Sequence, residues 1–218
     1  LLLSVGGCTS FELFRRWVVS DKKILELEKA TKQTELQQLK KQINPHFLFN
    51  MLNNANILVK DAPDEASQIL EKLDNLLRYQ LNDSTRREVF LTADIQFLTS
   101  FLELEKVRRD HFEYTIFQEG NMENICIPPL LFIPFVENAV KHNLDSDNLS
   151  YVHLYFSVHN KQLTFRCENS KPRVPVKREG GIGLANVKRR LDLLYESRYT
   201  LQIEDKETTY NVNLHLNL

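Results

Sequence analysis

A histidine, His46, lies directly after Pro45 and four residues before Asn50. Neutral imidazole has an ordinary pKa of about 6.5, so it is available as a nucleophile at neutral pH. On a helix, a spacing of four places Asn50 over His46, where the amide can orient the ring or hold a water molecule. The alternative is a partly buried histidine whose hydrogen bonds are satisfied by neighbouring amides. This segment alone leaves both interpretations open.

A second polar group follows a stretch that is apolar from residue 130 to residue 136. Its members are Glu137, Asn138, Lys141 and His142. Asn138 and Lys141 are three residues apart and share a helix face, which predicts an oxygen ligand for Mg²⁺ beside a cation for phosphate. The alternative is a solvated helix end, where Lys141 and His142 interact favourably with the helix dipole.

A third segment has Gly181 and Gly183 at the entry to a predicted helix. Glycine lets the backbone approach a phosphate, and the free N–H groups at a helix start attract an anion. Such a pair is common and weak evidence alone. Its occurrence after the polar group, within one small region, favours a phosphate site.

A helical hairpin is expected to position His46. Residues 21–60 contain no glycine and a single proline, and their apolar residues recur at spacings typical of a helix with a coiled-coil-like seam. A break at 61–64 precedes a second helix that ends near residue 82. Since one hairpin cannot bury so much apolar surface, residues 21–83 predict a four-helix bundle in a homodimer.

A polar linker at 83–88 leads to a second domain over residues 88–218. The apolar pattern predicts helices over 92–109, 130–142 and 184–196, and strands over 112–118, 151–158, 162–168, 199–205 and 209–216. Hairpin-connected strands interleaved with helices predict an α+β fold, with helices layered on one face of a mixed sheet.

Composition narrows the class of protein. The 218 residues include 28 lysines and arginines against 29 acidic residues, and this balance argues against direct nucleic-acid binding. The three cysteines form neither a CxxC pair nor a disulfide framework, which is typical of a reducing cytosol.

Residues 1–20 are interpreted as a membrane-proximal remnant. Their apolar run ends at Glu12 and gives roughly 16 Å of helix, against about 30 Å for a bilayer core. With Arg15, Arg16 and Trp17 as its cytoplasmic edge, residues 1–17 fit the end of a longer membrane helix, which would place this region at the cytoplasmic face. A lipoprotein signal ending at Cys8 is the alternative, although a basic start is missing.

Together the three motifs resemble the LytS/YehU-type sensor histidine kinases of two-component systems. The resemblance covers about residues 36–218 and is carried by three strings: Asn44-Pro45-His46-Phe47-Leu48-Phe49-Asn50, Glu137-Asn138-Ala139-Val140-Lys141-His142, and Gly181-Ile182-Gly183-Leu184-Ala185-Asn186-Val187 with Arg190-Leu191. It implies that the second domain has the Bergerat-type α/β sandwich fold, which binds ATP and is shared with gyrase and Hsp90. It also implies a response regulator as partner, of the LytTR type.

The resemblance also implies roles for the motif residues. His46 would be the phosphoacceptor, and Asn138 would coordinate Mg²⁺ on ATP. Gly181 and Gly183 would form the glycine box beside the triphosphate, and the other expected nucleotide-binding residues are Lys141, His142, Glu168, Asn169 and Asn186.

Three positions depart from the family pattern. Bergerat ATPases usually place an adenine-binding aspartate in a DxGxG segment, whereas the matching segment here is Glu168-Asn169-Ser170-Lys171-Pro172. Either Glu168 or Asn169 could take that role, or the glycine-poor loop could weaken ATP binding. No acid follows His46 directly, and Glu137 is the expected proton acceptor. The water-activating glutamate of gyrase and Hsp90 is replaced by Pro134.

Three functions follow from these residues. The first is an autokinase that phosphorylates His46 from Mg-ATP and passes the group to a response-regulator aspartate. The second is an ATPase of the same fold, against which Pro134 argues. The third is a catalytically weak dimeric signalling scaffold, supported by the altered Glu168 segment.

Overall fold

The computed structural model describes residues 45–143, 148–172 and 182–218, together with positions 15, 17, 21–23 and 26, which are helical. At positions 45, 46, 182 and 183 the description is of the backbone. Residues 24, 25 and 27–44 of the predicted coiled-coil-like stretch, residues 173–180 and Gly181 lie outside the described residues. None of the helices in the described part of the chain combines the length and the apolar composition of a membrane span.

The chain divides into two compact units, residues 1–48 and residues 49–218. The division falls within helix α1 (Pro45–Asp61). Helix α2 (Pro63–Asn82) follows after Ala62, so the break predicted at 61–64 is a single residue. Pro63 suits the first turn of α2, because the N–H groups there have no partner within a helix.

Helix α2 packs against α3 (Leu91–Arg108) inside the larger unit. The rings of Tyr79 and Phe97 stack with centroids 4.7 Å apart, and Lys72 pairs with Glu103 at 3.1 Å. The predicted linker at 83–88 contains a 3₁₀ turn, Asp83–Thr85, and joins two helices that contact each other. The second helix of the predicted hairpin is therefore part of the larger unit.

The larger unit contains a five-stranded mixed sheet, as the sequence predicted. Its strands are β2 (Phe112–Glu119), β4 (Ser150–His159), β5 (Gln162–Ser170), β6 (Tyr199–Asp205) and β7 (Thr209–Asn217). Their order is β2-β4-β5-β7-β6, with β2 and β4 parallel and the other neighbours antiparallel. A small separate sheet pairs β1 (Val89–Phe90) with β3 (Cys126–Ile127).

The sheet has one buried face and one exposed face, because side chains alternate along each strand. On the inner face Leu154, Phe165 and Leu214 are fully buried, whereas Thr115 and Arg166 of the outer face are exposed. Burying each such apolar side chain contributes about 1.5–3 kcal/mol to stability. The predicted layering of helices on one face is confirmed.

Two helices carry the predicted nucleotide motifs in this layer. Helix α4 (Ile133–His142) lies on β5, with ring centroids of Phe135 and Phe165 5.9 Å apart. Phe132, just before α4, has its ring 4.5 Å from that of Phe165. Helix α5 (Ile182–Tyr195) contacts α4. The sheet thereby fixes α4, and α4 is in turn fixed against α5.

Candidate functional site

Four predicted site residues lie on the last two turns of α4. Val136, Ala139 and Val140 are buried on its apolar side, while Glu137, Lys141 and His142 are exposed and Asn138 is half-buried. Asn138 and Lys141 both lie in α4, where their spacing of three places them on one face of the helix, as predicted. The exposed side of α4 therefore carries amide, carboxyl and cationic groups, and its opposite side is apolar and buried.

Glu137 is both accessible and partly desolvated. Its side chain reaches solvent, yet burial of its carboxyl among surrounding protein atoms raises the pKa from 4.5 to about 7. A carboxyl with this pKa exchanges protons easily at neutral pH and suits a general base.

The two candidates for the adenine contact lie on opposite faces of the sheet. Asn169 is 1% exposed and lies on the inner face in line with Phe165 and Cys167, and its Nδ2 donates to the Ser170 carbonyl at 2.8 Å. Glu168 lies on the outer face. Because α4 packs on the inner face, the structure favours Asn169 over Glu168 for a contact near the nucleotide motifs.

The outer-face partners of Glu168 occupy its carboxylate. Arg166 donates to Glu168 Oε2 at 2.5 Å, and the Tyr151 hydroxyl donates to Oε1 at 3.4 Å. Arg166 lies two residues away on the same strand and Tyr151 lies on β4, so Glu168 contacts side chains of the exposed face. The expectation that Glu168 binds the nucleotide stays without structural support.

The glycine segment is described from residue 182 onward. The backbone of Gly183 belongs to the first turn of α5, and Asn186 is exposed one turn later. Val187 and Leu191 are buried on the opposite side of α5. Asn186 therefore lies on the side of α5 that faces away from its packed residues.

His46 and Asn50 both belong to α1. The helix preserves the spacing that puts Asn50 one turn after His46, and Asn50 is half-buried. The side chain of His46 lies outside the described residues. His46 belongs to the smaller unit, and Glu137, Asn138 and Asn169 belong to the larger unit.

A buried polar network lies at the start of α4, and Arg190 is its member that the third sequence motif includes. Asp94 of α3 is fully buried and accepts hydrogen bonds from the Tyr79 hydroxyl at 2.5 Å and from the Leu130 N–H at 3.0 Å. Arg190 of α5 donates to the carbonyls of Leu130 at 3.1 Å and Pro129 at 2.6 Å. The network connects α2, α3 and α5 at the turn that begins α4.

The charge of Asp94 is finely balanced. Burial raises its pKa to about 6, while the hydrogen bonds from Tyr79 and Leu130 and the charge of Arg190 favour the ionised form. In the sequence Asp94 looks like a first-turn acid facing solvent and interacting with the helix dipole. Only the packing of α2 on α3 shows that it is buried.

The other end of α4 is held by Arg109, which follows α3. Arg109 donates to the Val140 carbonyl at 2.7 Å and to Asn143 Oδ1 at 2.9 Å, and it pairs with Glu105 at 3.3 Å. Asn143 is fully buried and donates to the Tyr151 carbonyl at 3.1 Å. Helix α3 and the residue after it therefore fix both ends of the helix that carries Glu137 and Asn138.

Comparison with known proteins shows what this chain is similar to. Residues 34–112, which include His46, match the histidine kinase family model. The Sensor protein LytS of Staphylococcus haemolyticus is 30% identical over 203 residues, covering 86% of this chain and 35% of that protein. The chain is homologous to the LytS-type sensor histidine kinases. The resemblance predicted from the three motifs is confirmed.

Two further known proteins are similar to parts of this chain. The Sensor histidine kinase/phosphatase LytS of Staphylococcus aureus is 32% identical over 115 residues, covering 52% of this chain and 20% of that protein. The solved histidine kinase domain of the blue-light activated kinase from Erythrobacter litoralis has a TM-score of 0.47 at 18% identity, covering 84% of this chain and 90% of that domain. The chain spans 35% or less of these curated relatives.

Proposed function

We propose that this chain autophosphorylates His46 from Mg-ATP and passes the phosphoryl group to an aspartate of a response regulator. The proposal is carried by α4, where a carboxyl with a pKa of about 7 stands next to Asn138 on a helix fixed at both ends. Positioning and electrostatic stabilisation supply most of the catalysis in phosphoryl transfer, so a rigid helix with these groups fits the task.

Each residue has a defined part in the proposed reaction. A ring nitrogen of His46 attacks the γ-phosphorus, the bond from this phosphorus to the bridging oxygen breaks, and ADP leaves. The proton of the imidazole passes to the Glu137 carboxylate. The amide oxygen of Asn138 is a ligand suited to Mg²⁺, which would neutralise charge on the transferred group. Lys141, one turn from Asn138, would bind a phosphate oxygen.

Incubation with γ-labelled ATP and Mg²⁺ tests the proposal. Acid-labile, alkali-stable label on the protein is expected, followed by its loss to an added response-regulator domain. An ATPase of the same fold would release phosphate without labelling the protein, and a silent scaffold would do neither. Pro134 in the first turn of α4 leaves no acid one turn before Asn138, which disfavours hydrolysis as the main activity. A LytTR-type regulator and a location at the cytoplasmic membrane face remain predictions.

Glu137 gives the proposed reaction a pH dependence. The phosphorylation rate should rise as the pH increases through about 7, because Glu137 accepts a proton only when ionised. Glu137→Gln should lower the rate by about 10²-fold, the lower end of the contribution of general bases. Initial rates measured from pH 5.5 to 8.5 test this, with Glu113→Gln on the outer face as the control.

A stability measurement separates Glu137 from the titration of His46. The folded-state pKa of Glu137 is raised, so ionisation costs the folded state free energy as the pH rises from its ordinary value of 4.5 through about 7. Glu137→Gln should therefore gain thermal stability relative to wild type over that interval. A difference in melting temperature between Glu137→Gln and wild type that is the same at pH 5 and at pH 8 would show that Glu137 is not desolvated.

Apolar side chains on the outside of α1 and α2 support the proposed homodimer. Leu70 and Leu81 of α2 are 45% and 59% exposed, and Phe49 of α1 is 66% exposed. Leu70 and Leu81 lie three helical turns apart on nearly the same side, with the half-buried Leu77 between them. We infer that a second copy of this chain covers this seam, as a four-helix bundle requires.

Charges on the seam should break the dimer. The double variant Leu70→Glu, Leu81→Glu is expected to sediment as a monomer where wild type sediments as a dimer. The reason is that repulsion between carboxylates replaces apolar burial. Leu193→Glu, at a 77% exposed leucine of α5, is the matched control and should leave the dimer intact. Wild type that sediments as a monomer would contradict the bundle.

The name of the Staphylococcus aureus relative also records a phosphatase. Asn50 is one turn from His46 in α1, and its amide has the donor and acceptor needed to hold a water molecule near a phosphorylated ring. We propose dephosphorylation as a second activity that uses Asn50. Faster loss of label from wild type than from Asn50→Ala supports it.

A further inference from the structure

The two helices that carry the nucleotide motifs are tied together at one short turn. Arg190 lies on α5, seven residues after Gly183, and its two terminal nitrogens reach the carbonyls of Pro129 and Leu130. These carbonyls lie just before α4. A guanidinium presents several donors in a fixed plane, so a two-carbonyl contact fixes orientation as well as distance.

The turn itself needs this support. Leu130 has φ of 56°, in the left-handed region that non-glycine residues rarely adopt, and its side chain is buried. A backbone in this conformation persists only where its surroundings determine it. Asp94 accepts the Leu130 N–H and Arg190 binds the Leu130 carbonyl, so both polar groups of this peptide position are held by side chains from other helices.

The same aspartate connects the turn to α2. Tyr79 lies near the end of α2, and its hydroxyl donates to the Asp94 oxygen that also accepts the Leu130 N–H. The Tyr79 ring stacks on Phe97, and its side chain is buried. A displacement of the end of α2 would therefore act on the residue that holds the start of α4.

We propose that Asp94 and Arg190 are positioning residues that hold α4 and α5 in a fixed relative position for phosphoryl transfer. We also propose that Tyr79 couples this relative position to α2. This rests on the proposed kinase function and deepens it. Arg190 fixes the position of α5 relative to α4, the helix that carries Asn138. Tyr79 fixes the position of α2 relative to both helices.

Conservative variants separate the two roles. Tyr79→Phe keeps the ring that stacks on Phe97 and removes only the hydroxyl, so ATP affinity should stay within twofold while the rate at saturating ATP falls about fivefold. Arg190→Lys keeps the charge but loses the planar donor pair, so the Kd for ATP should rise about tenfold. Tyr199→Phe removes an exposed hydrogen bond to Asp192 of 2.5 Å and is the matched control.

The test measures ATP affinity with a fluorescent nucleotide, phosphorylation with γ-labelled ATP, and melting temperature on the full chain. A fall in rate for Tyr79→Phe with unchanged Kd supports the coupling, and parallel changes in rate, Kd and melting temperature show a merely structural role. If wild type binds ATP but takes up no label, the kinase proposal fails. The Kd of Arg190→Lys for ATP then still tests whether Arg190 holds α4 and α5 in place. Labelled wild type with both variants unchanged overturns this inference alone.

Discussion

Replacing His46 with glutamine is expected to abolish acid-labile phosphorylation while ATP binding is retained. Glutamine keeps hydrogen-bonding capacity and forms helices readily, so α1 should be preserved. It has no nucleophilic ring nitrogen, and the loss should be at least about 10³-fold, down to the background of the assay. ATP affinity should be unchanged, because the nucleotide motifs lie in the other compact unit.

The control for this experiment is another histidine. His159 is exposed at the end of β4 and pairs with Glu119 at 3.7 Å on the outer face, so His159→Gln should be labelled like wild type. Label of equal amount on His46→Gln and wild type would place the phosphoacceptor elsewhere. Phosphate release without label in any variant would favour an ATPase of this fold.

Much of the architecture was predictable because its elements are long enough to show a period. Strand β6 was predicted at its observed bounds, and β4, β5 and β7 differ from prediction by one or two residues at their ends. The small sheet of β1 and β3 was not predicted. Two-residue strands have no alternation, and the pairing of Val89 with Ile127 depends on tertiary contacts.

The choice between Glu168 and Asn169 was decidable from the sequence in principle. Leu163, Phe165 and Cys167 are the apolar members of an alternating strand, so the next residue on their face is Asn169. Extending that alternation past the predicted strand end would have put Glu168 on the exposed face. The sequence placed both residues near the site without separating them.

The supporting network was beyond prediction for a different reason. Tyr79 and Asp94 belong to none of the three motifs, and Arg190, which the third motif includes, lies far from them in the chain. Their contact depends on how α2 packs on α3 and how α5 meets the turn before α4. Periodicity identifies which face of a helix is buried, but not which polar groups meet there.

The site on α4 leads to the second large effect. Asn138→Ala should reduce Mg²⁺-ATP-dependent phosphorylation by at least about 10³-fold, since a metal ligand that stabilises transition-state charge contributes several kcal/mol. The fold should survive, because Asn138 is half-buried and the buried residues of α4 are its neighbours Val136, Ala139 and Val140. The dimer should also survive, because its proposed seam lies on α1 and α2.

Asn138→Asp is the sharper variant, because it keeps an oxygen ligand of nearly the same size. The new carboxylate stands next to Glu137, whose pKa is already raised to about 7 by burial. A second negative charge would raise the pKa of Glu137 further and leave it protonated at neutral pH. The variant should bind Mg²⁺ yet fail to phosphorylate His46 near pH 7, with partial recovery at higher pH.

The measurements are label uptake at several pH values, nucleotide affinity, circular dichroism and sedimentation. Asn213→Ala, at a half-buried asparagine on the outer face of β7, controls for the loss of an amide. Unchanged labelling of Asn138→Ala would refute the assignment of Asn138 as the metal ligand. Recovery of Asn138→Asp at high pH would instead support Asn138 as metal ligand and Glu137 as proton acceptor at adjacent positions of one helix. A carboxylate at position 138 would then be disfavoured because it raises the pKa of the proton acceptor.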